Sequence, residues 1–119
     1  MLIPRNTRIH LAREHVDFRK SIDGLAGVVR AVLEDDPSSG HLFIFHNRRR
    51  TALKILWWQD GGYCLLYKRL AKGRFVLPFF PDQTRRVVLR HAELASLLDG
   101  IDLRWARRLE DRWNPPIKA

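Results

Sequence analysis

The sequence predicts an α+β domain: a small antiparallel sheet, made of a three-stranded meander and an N-terminal strand, packed with an amphipathic helix and a C-terminal helix. Three observations predict it. Apolar side chains recur at helical spacing over residues 22–33, three apolar, β-rich runs follow over residues 41–70, and helical spacing returns over residues 91–99. With 119 residues, 45% of them hydrophobic, the chain has material for one core, which at this size buries about two thirds of the unfolded surface.

Residues 8–12 (Arg-Ile-His-Leu-Ala) alternate polar and apolar, as a short first strand does. From Asp17 to Leu33, the residues Ile22, Leu25, Ala26, Val29, Val32 and Leu33 form one apolar stripe of a helix. Asp17 or Ser21 is placed to cap its start, and Asp36-Pro37-Ser38-Ser39-Gly40 to end it. Gly24 and Gly27 lie inside it, each costing up to ~1 kcal/mol relative to Ala, so a close approach to a sheet or partner is the expected compensation.

The three β-rich runs are His41–His46, Ala52–Trp58 and Tyr63–Leu70, and Asp60-Gly61 between the last two is a strong hairpin signal. Tight hairpins would pair Trp58 with Tyr63, Leu56 with Leu65, Lys54 with Tyr67, and Phe43 with Lys54. Alternation along strands then puts His41, Phe43, Phe45, Lys54, Leu56, Trp58, Tyr63, Leu65, Tyr67 and Arg69 on one face. The opposite face, Leu42, Ile44, Leu53, Ile55, Trp57, Cys64 and Leu66, is nearly all apolar and is the expected seat of the amphipathic helix. A basic turn (Ala71–Arg74), a short extended piece (Phe75–Leu77) and an irregular crossing (Pro78–Pro81) lead to the second helix, with Leu94, Leu97, Leu98 and Ile101 on one side and Gly100 as its stop. The chain divides into a domain over 1–103 and an extension over 104–119, where Trp105, Leu109 and Trp113 recur every four residues as a third helix or an interaction arm.

Charge is confined as well as large. The formal net charge is +9; residues 1–40 carry six basic and six acidic side chains, residues 91–119 five of each, and residues 41–90 eleven basic against two acidic. A concentrated patch attracts polyanions, nucleic acid first, whereas the alternative is a solvated face. No apolar run approaches the ~18 residues of a membrane span, and the N-terminus lacks a signal peptide's apolar stretch, so a cytoplasmic protein is expected. The lone Cys64 excludes an intrachain disulfide.

Catalytic patterns are missing. There is no phosphate-cradling Gly-rich loop, and no carboxylate stands two positions before a Lys as in many nucleases. The pairs Asp35/Asp36 and Asp99/Asp102 read as solvated helix ends and the five His are scattered, so neither a metal nor another cofactor is expected. The constellation that remains is basic: Arg48, Arg49 and Arg50 in one hairpin loop, with Lys54, Lys68, Arg69, Lys72 and Arg74 on adjoining strands and turn. In a meander the first loop and the turn after the third strand share an end, where guanidinium forks suit phosphate oxygens. Trp58, Tyr63, Tyr67, Phe43 and Phe45 admit two readings, platforms for unpaired bases or a covered core and protein interface.

Several ordered blocks resemble a family. Asp17-Phe18-Arg19-Lys20-Ser21-Ile22-Asp23-Gly24-Leu25, Ser39–Phe45, Leu53–Trp58, Asp60–Leu70 with Gly73-Arg74-Phe75, and Leu94–Asp102 are similar to the TnpB accessory proteins of the IS-66 family of bacterial insertion sequences. These are distinct from the RNA-guided nuclease that shares that name. The resemblance implies a non-catalytic protein encoded beside a separate transposase. It supplies no established ligand residues. Arg90-His91 stands where the family usually has a capping Ser or Thr, and the pattern fades beyond Leu103. Two functions follow. One is a DNA-binding accessory factor that helps the transposase on transposon ends. The other is an interaction module docking on the transposase or another element-encoded protein, with Trp58, Tyr63, Tyr67, Trp105 and Trp113 as interface candidates.

Overall fold

The computed structural model describes residues 3–99, in the order β1 (Ile9–Ala12), α1 (Ile22–Ala31), β2 (Leu42–His46), β3 (Ala52–Gln59), β4 (Gly62–Arg69), β5 (Arg86–Leu89) and α2 (His91–Leu98). The expected stop at Gly100, and the extension with Trp105 and Trp113, lie outside the described residues. The strands form one five-stranded sheet in the order β4-β3-β2-β1-β5. It is an α+β fold, as the sequence predicts, but the sheet is mixed. β1 runs parallel to β2, because α1 intervenes and carries the chain back to the same end, and it runs antiparallel to β5. Held between two strands, every residue of β1 is buried.

The β3–β4 hairpin has the expected register: Gln59 faces Gly62, Trp58 faces Tyr63, and Lys54 faces Tyr67. Asp60 (φ 51°) and Gly61 (φ 82°) both lie in the left-handed region, which a two-residue type I′ turn requires. The β2–β3 hairpin differs. Lys54 faces Phe45, and Phe43 faces Leu56, two residues from the expected pairing, because the pairing runs on to His46 and Leu53 and tightens the loop. A shift of two preserves which face each side chain occupies.

α1 sits on the face opposite to the expected one, and α2 takes the apolar face in its place. α1 buries Leu25, Ala26 and Val29 against Ala12, Phe43, Phe45 and Leu56 on the aromatic face. α2 instead brings Leu94 and Leu97 to Ile9, Leu11, Leu42, Ile44, Leu53 and Ile55. Lys54 explains the reversal. Its charge makes the aromatic face read as partly polar, yet its Nζ donates to the carbonyls of Phe18 and Lys20, both at 2.8 Å, in the turn that leads into α1. The ammonium also lies over the rings of Phe18 (4.9 Å) and Tyr67 (5.4 Å). With those partners Lys54 is buried beneath α1 at 7% exposure.

Local details refine other expectations. Ser21 holds the N-cap position of α1 without a side-chain cap bond, while Asp17 accepts from the Arg19 N–H at 2.9 Å in the turn before it. α1 ends at Ala31, ahead of Asp36-Pro37, where Glu34 turns left-handed (φ 52°) and the Asp35 N–H reaches the Val29 carbonyl at 3.1 Å. Neither helical glycine makes a close approach to the sheet: a Cβ on Gly24 would meet only Lys20, and one on Gly27 would meet open space. Phe75 and Leu77 stay outside the sheet and fill the core on the α2 side.

Candidate nucleic-acid interface

The loop between β2 and β3 is organised by Asn47. Its Oδ1 accepts the N–H groups of Thr51 (2.8 Å) and Ala52 (3.2 Å), and its Nδ2 donates to Thr51 Oγ1 at 2.9 Å. This local network lets Arg50 adopt a left-handed φ of 59°. The chain that follows β4 is stitched to the same loop: the Leu70 N–H donates to the Thr51 carbonyl at 2.9 Å, and the Phe75 N–H to the Arg50 carbonyl at 2.7 Å. Loop and turn therefore share one end of the sheet, as the meander topology requires, and Arg69 faces Ala52 across the last rung.

The eleven cations of residues 41–90 fall into three groups. Arg85, Arg86 and Arg90 pair with Glu34 (3.8 Å), Asp35 (2.6 Å) and Glu93 (3.3 Å). Lys54 is committed to backbone carbonyls under α1, and Lys68 Nζ donates to the Leu98 carbonyl at the C-terminal end of α2. The remaining six, Arg48, Arg49, Arg50, Arg69, Lys72 and Arg74, are all exposed. None of them forms an ion pair among the described residues. Of the eight cations assigned to the patch from sequence, Lys54 is thus buried in the core and Lys68 serves α2. Six share the stitched end.

The aromatic candidates divide similarly. Phe43 and Phe45 are fully buried under α1, so they offer no surface for a base. Trp58 and Tyr63 pack edge to face at 4.9 Å, toward the end of the sheet opposite the Arg loop, and Tyr67 is half exposed. Trp57 and Trp58 also wall a small groove of about 250 Å³ with Ile3, Pro4 and Leu42. Trp105 and Trp113 lie outside the described residues.

Titratable groups near the sheet are structural. His10, buried beneath α1 and stacked on Phe43 at 5.1 Å, is held at a pKa of about 4 by burial, with the Arg86 charge adding to the effect. Burial also lowers the pKa of His46, whose Nε2 lies 3.0 Å from the Arg13 carbonyl. Asp35, one of the carboxylates weighed for metal, is bound to Arg86. Among the described residues no group of three or more His, Cys, Asp or Glu side chains has the geometry to hold a metal ion. No helix among them is long and apolar enough to cross a membrane.

Three partners escape sequence reasoning. β5 is a short Arg-Val-Val-Leu run whose only signal is its pair of β-branched residues. Glu93, three residues into α2, accepts from the Arg90 N–H at 2.9 Å and so supplies a cap where Ser or Thr is missing. The role of Lys54 depends on a turn 34 and 36 residues away in sequence.

A mixed sheet with one helix on each face, and six exposed cations without ion-pair partners among the described residues gathered at one end, defines a small, basic α+β domain. The chain belongs to the IS66 Orf2-like family, which residues 7–108 match, and it is in that sense an insertion-sequence-associated accessory protein. It is 38% identical over 111 residues to the uncharacterized protein y4hO of Sinorhizobium fredii (strain NBRC 101917 / NGR234), spanning 93% of this chain and 92% of that one. It is also 33% identical over 103 residues to y4jC of the same strain, spanning 87% and 85%. No solved structure matches it.

Proposed function

We propose that this protein is a non-catalytic accessory factor of insertion-sequence transposition, acting in the cytoplasm, that binds DNA through its basic end and assists a separate transposase. One observation carries the reading. Six cations without carboxylate partners among the described residues stand around the Arg50 to Phe75 stitch, while every other cation of the middle segment is engaged. Leaving several guanidinium groups unpaired at one end is unfavourable by self-repulsion, and a polyanion relieves it. Contacts of this kind position a protein on the phosphate backbone without reading sequence. Reversing Arg48, Arg49 and Arg50 to Glu should abolish retention of insertion-end duplex with the circular dichroism spectrum unchanged. Undiminished retention would refute the assignment.

A second reading is favoured by the groove at the other end, where Trp57 and Trp58 stand half-buried beside Ile3 and Leu42. Half-buried tryptophan beside a concave apolar surface is the usual anchor of a protein interface. In this reading the domain docks on the transposase there. Trp58→Ala should then lose the transposase in a pull-down, and full recovery would exclude this face as the docking site.

A further inference from the structure

The basic end is not flat. Arg13 and His15, on the chain leaving β1, together with Arg48 and Arg50 from the β2–β3 loop, wall a groove of about 400 Å³. That volume lies toward the lower end of small-ligand sites, about 300–1,000 Å³. The guanidinium groups of Arg13, Arg48 and Arg50 face one carboxylate in the lining, that of Glu14, so the groove is net positive. Glu14 stands 4.0 Å from Arg13 Nε, and Arg13 Nη1 is turned to the carbonyls of Pro81 and Thr84, both at 3.4 Å. Arg48 and Arg50 are exposed and form no ion pair among the described residues. These two are therefore the groove's available anion ligands, and the backbone of Arg50 is fixed by its contacts to Asn47 and Phe75.

His46 lines the same groove, buried at 4% exposure. Its Nδ1 lies 3.2 Å from the Asn47 carbonyl oxygen and its Nε2 lies 3.0 Å from that of Arg13. A neutral imidazole has one N–H, so in either tautomer its other nitrogen turns a lone pair toward a carbonyl oxygen, and only the imidazolium donates to both. Burial is the largest influence against that second proton and the Arg50 charge adds to it, so the pKa of His46 lies below its ordinary value. The other charged or titratable groups of the groove are Arg13, Glu14, His15 and Arg48. Residues 77–80 and the cross-strand neighbour Leu53 add only apolar side chains. An anion seated between Arg48 and Arg50 offsets the Arg50 repulsion, while both acceptors for the imidazolium are already in place.

We infer that this groove holds one phosphate group of the bound DNA between Arg48 and Arg50, and that His46 takes up a proton as the phosphate enters. The inference rests on the DNA-binding reading above and adds to it a seat for one phosphate and a proton coupled to that seat. The proton comes from solvent and forms the second N–H of the ring; no other bond is made or broken. The coupling is reciprocal: whatever the anion adds to the proton affinity of His46, the proton adds to the affinity for the anion. DNA binding therefore strengthens as pH falls through the range in which His46 titrates.

The test follows the His46 ring by NMR in the full chain across a pH titration, first alone, then with saturating short DNA duplex, then with sodium sulfate. Sulfate mimics the phosphate group and stays a dianion throughout, so its own protonation does not enter. Duplex should raise the pKa of His46 by about one unit, which is about tenfold in affinity by linkage, and sulfate should raise it in the same direction. In Arg48→Gln/Arg50→Gln, two exposed positions whose replacement spares the core, the shift on adding sulfate should vanish. In His15→Asn it should remain. A His46 that titrates identically with and without duplex would overturn the inference while leaving DNA binding, read separately by anisotropy, intact. A shift with sulfate and none with duplex would also overturn it, since the seat would then serve a free oxyanion. A sulfate shift that survives in Arg48→Gln/Arg50→Gln would place the anion elsewhere and overturn it as well. Absence of duplex binding by anisotropy would overturn both readings.

Discussion

The Phe75 N–H donates to the Arg50 carbonyl at 2.7 Å, joining the β2–β3 loop to the chain that leaves β4. Through this bond two basic segments distant in sequence act as one surface. Arg48, Arg49 and Arg50 come from one segment, and Arg69, Lys72 and Arg74 from the other. The surface therefore depends on uncharged residues that shape the loop as much as on its cations.

Asn47 is the most direct case. Replacing it with Ala removes the acceptor of the Thr51 and Ala52 N–H groups and the donor to Thr51 Oγ1. The expected cost is about 1–3 kcal/mol in urea denaturation. DNA affinity should fall as well, although no charge is lost. An affinity unchanged in Asn47→Ala would show that the loop's shape is irrelevant to binding.

Lys54 should behave in the opposite way. Lys54→Met leaves the carbonyls of Phe18 and Lys20 without their donor and removes the cation from the Phe18 and Tyr67 rings. A loss of about 2–4 kcal/mol is expected, with the salt dependence of DNA binding unaltered. A shallower salt slope in the folded variant would place Lys54 back among the phosphate contacts.

His10 makes stability depend on pH. Its folded pKa of about 4 lies below the ordinary 6.5, so the unfolded chain binds the proton more readily between those values. The stabilisation is fully present above pH 6.5 and is lost as pH falls toward 4, by about 3 kcal/mol at most. His46, also lowered by burial, acts in the same direction. Urea titrations from pH 7.5 to 4 should show the fall, and His10→Phe, which keeps a ring on Phe43, should flatten part of it. A flat profile in the wild type would contradict the burial of both imidazoles as neutral groups.

Local signals in this sequence carry well into the fold, and distant ones carry poorly. Asp60-Gly61 specifies its turn because both residues must take positive φ, and the Trp58–Tyr63 register follows from it. The face each strand residue occupies follows from alternation alone. What alternation cannot tell is which helix covers which face, since that choice turned on Lys54 meeting carbonyls across a long loop. β5 was illegible because a short edge strand needs β1 as its template. The convergence of the basic residues could be read from meander topology, but the withdrawal of Lys54 and Lys68 from it could not, because each is claimed by backbone carbonyls of a distant element. The groove beside His46 forms only when three separate segments meet.

The measurement closest to the central claim is fluorescence anisotropy of the purified protein on insertion-end duplex, scrambled duplex and single strand across a salt series. With about five of the six cations that lack ion-pair partners among the described residues engaging phosphates, the wild type should give a log–log salt slope of about −4 to −5 on duplex. Arg48→Glu/Arg49→Glu/Arg50→Glu should abolish binding, and Lys54→Met should keep the wild-type slope. An absence of binding at low salt, or a slope that the triple variant leaves unchanged, would contradict the claim that this end of the sheet is built for nucleic acid.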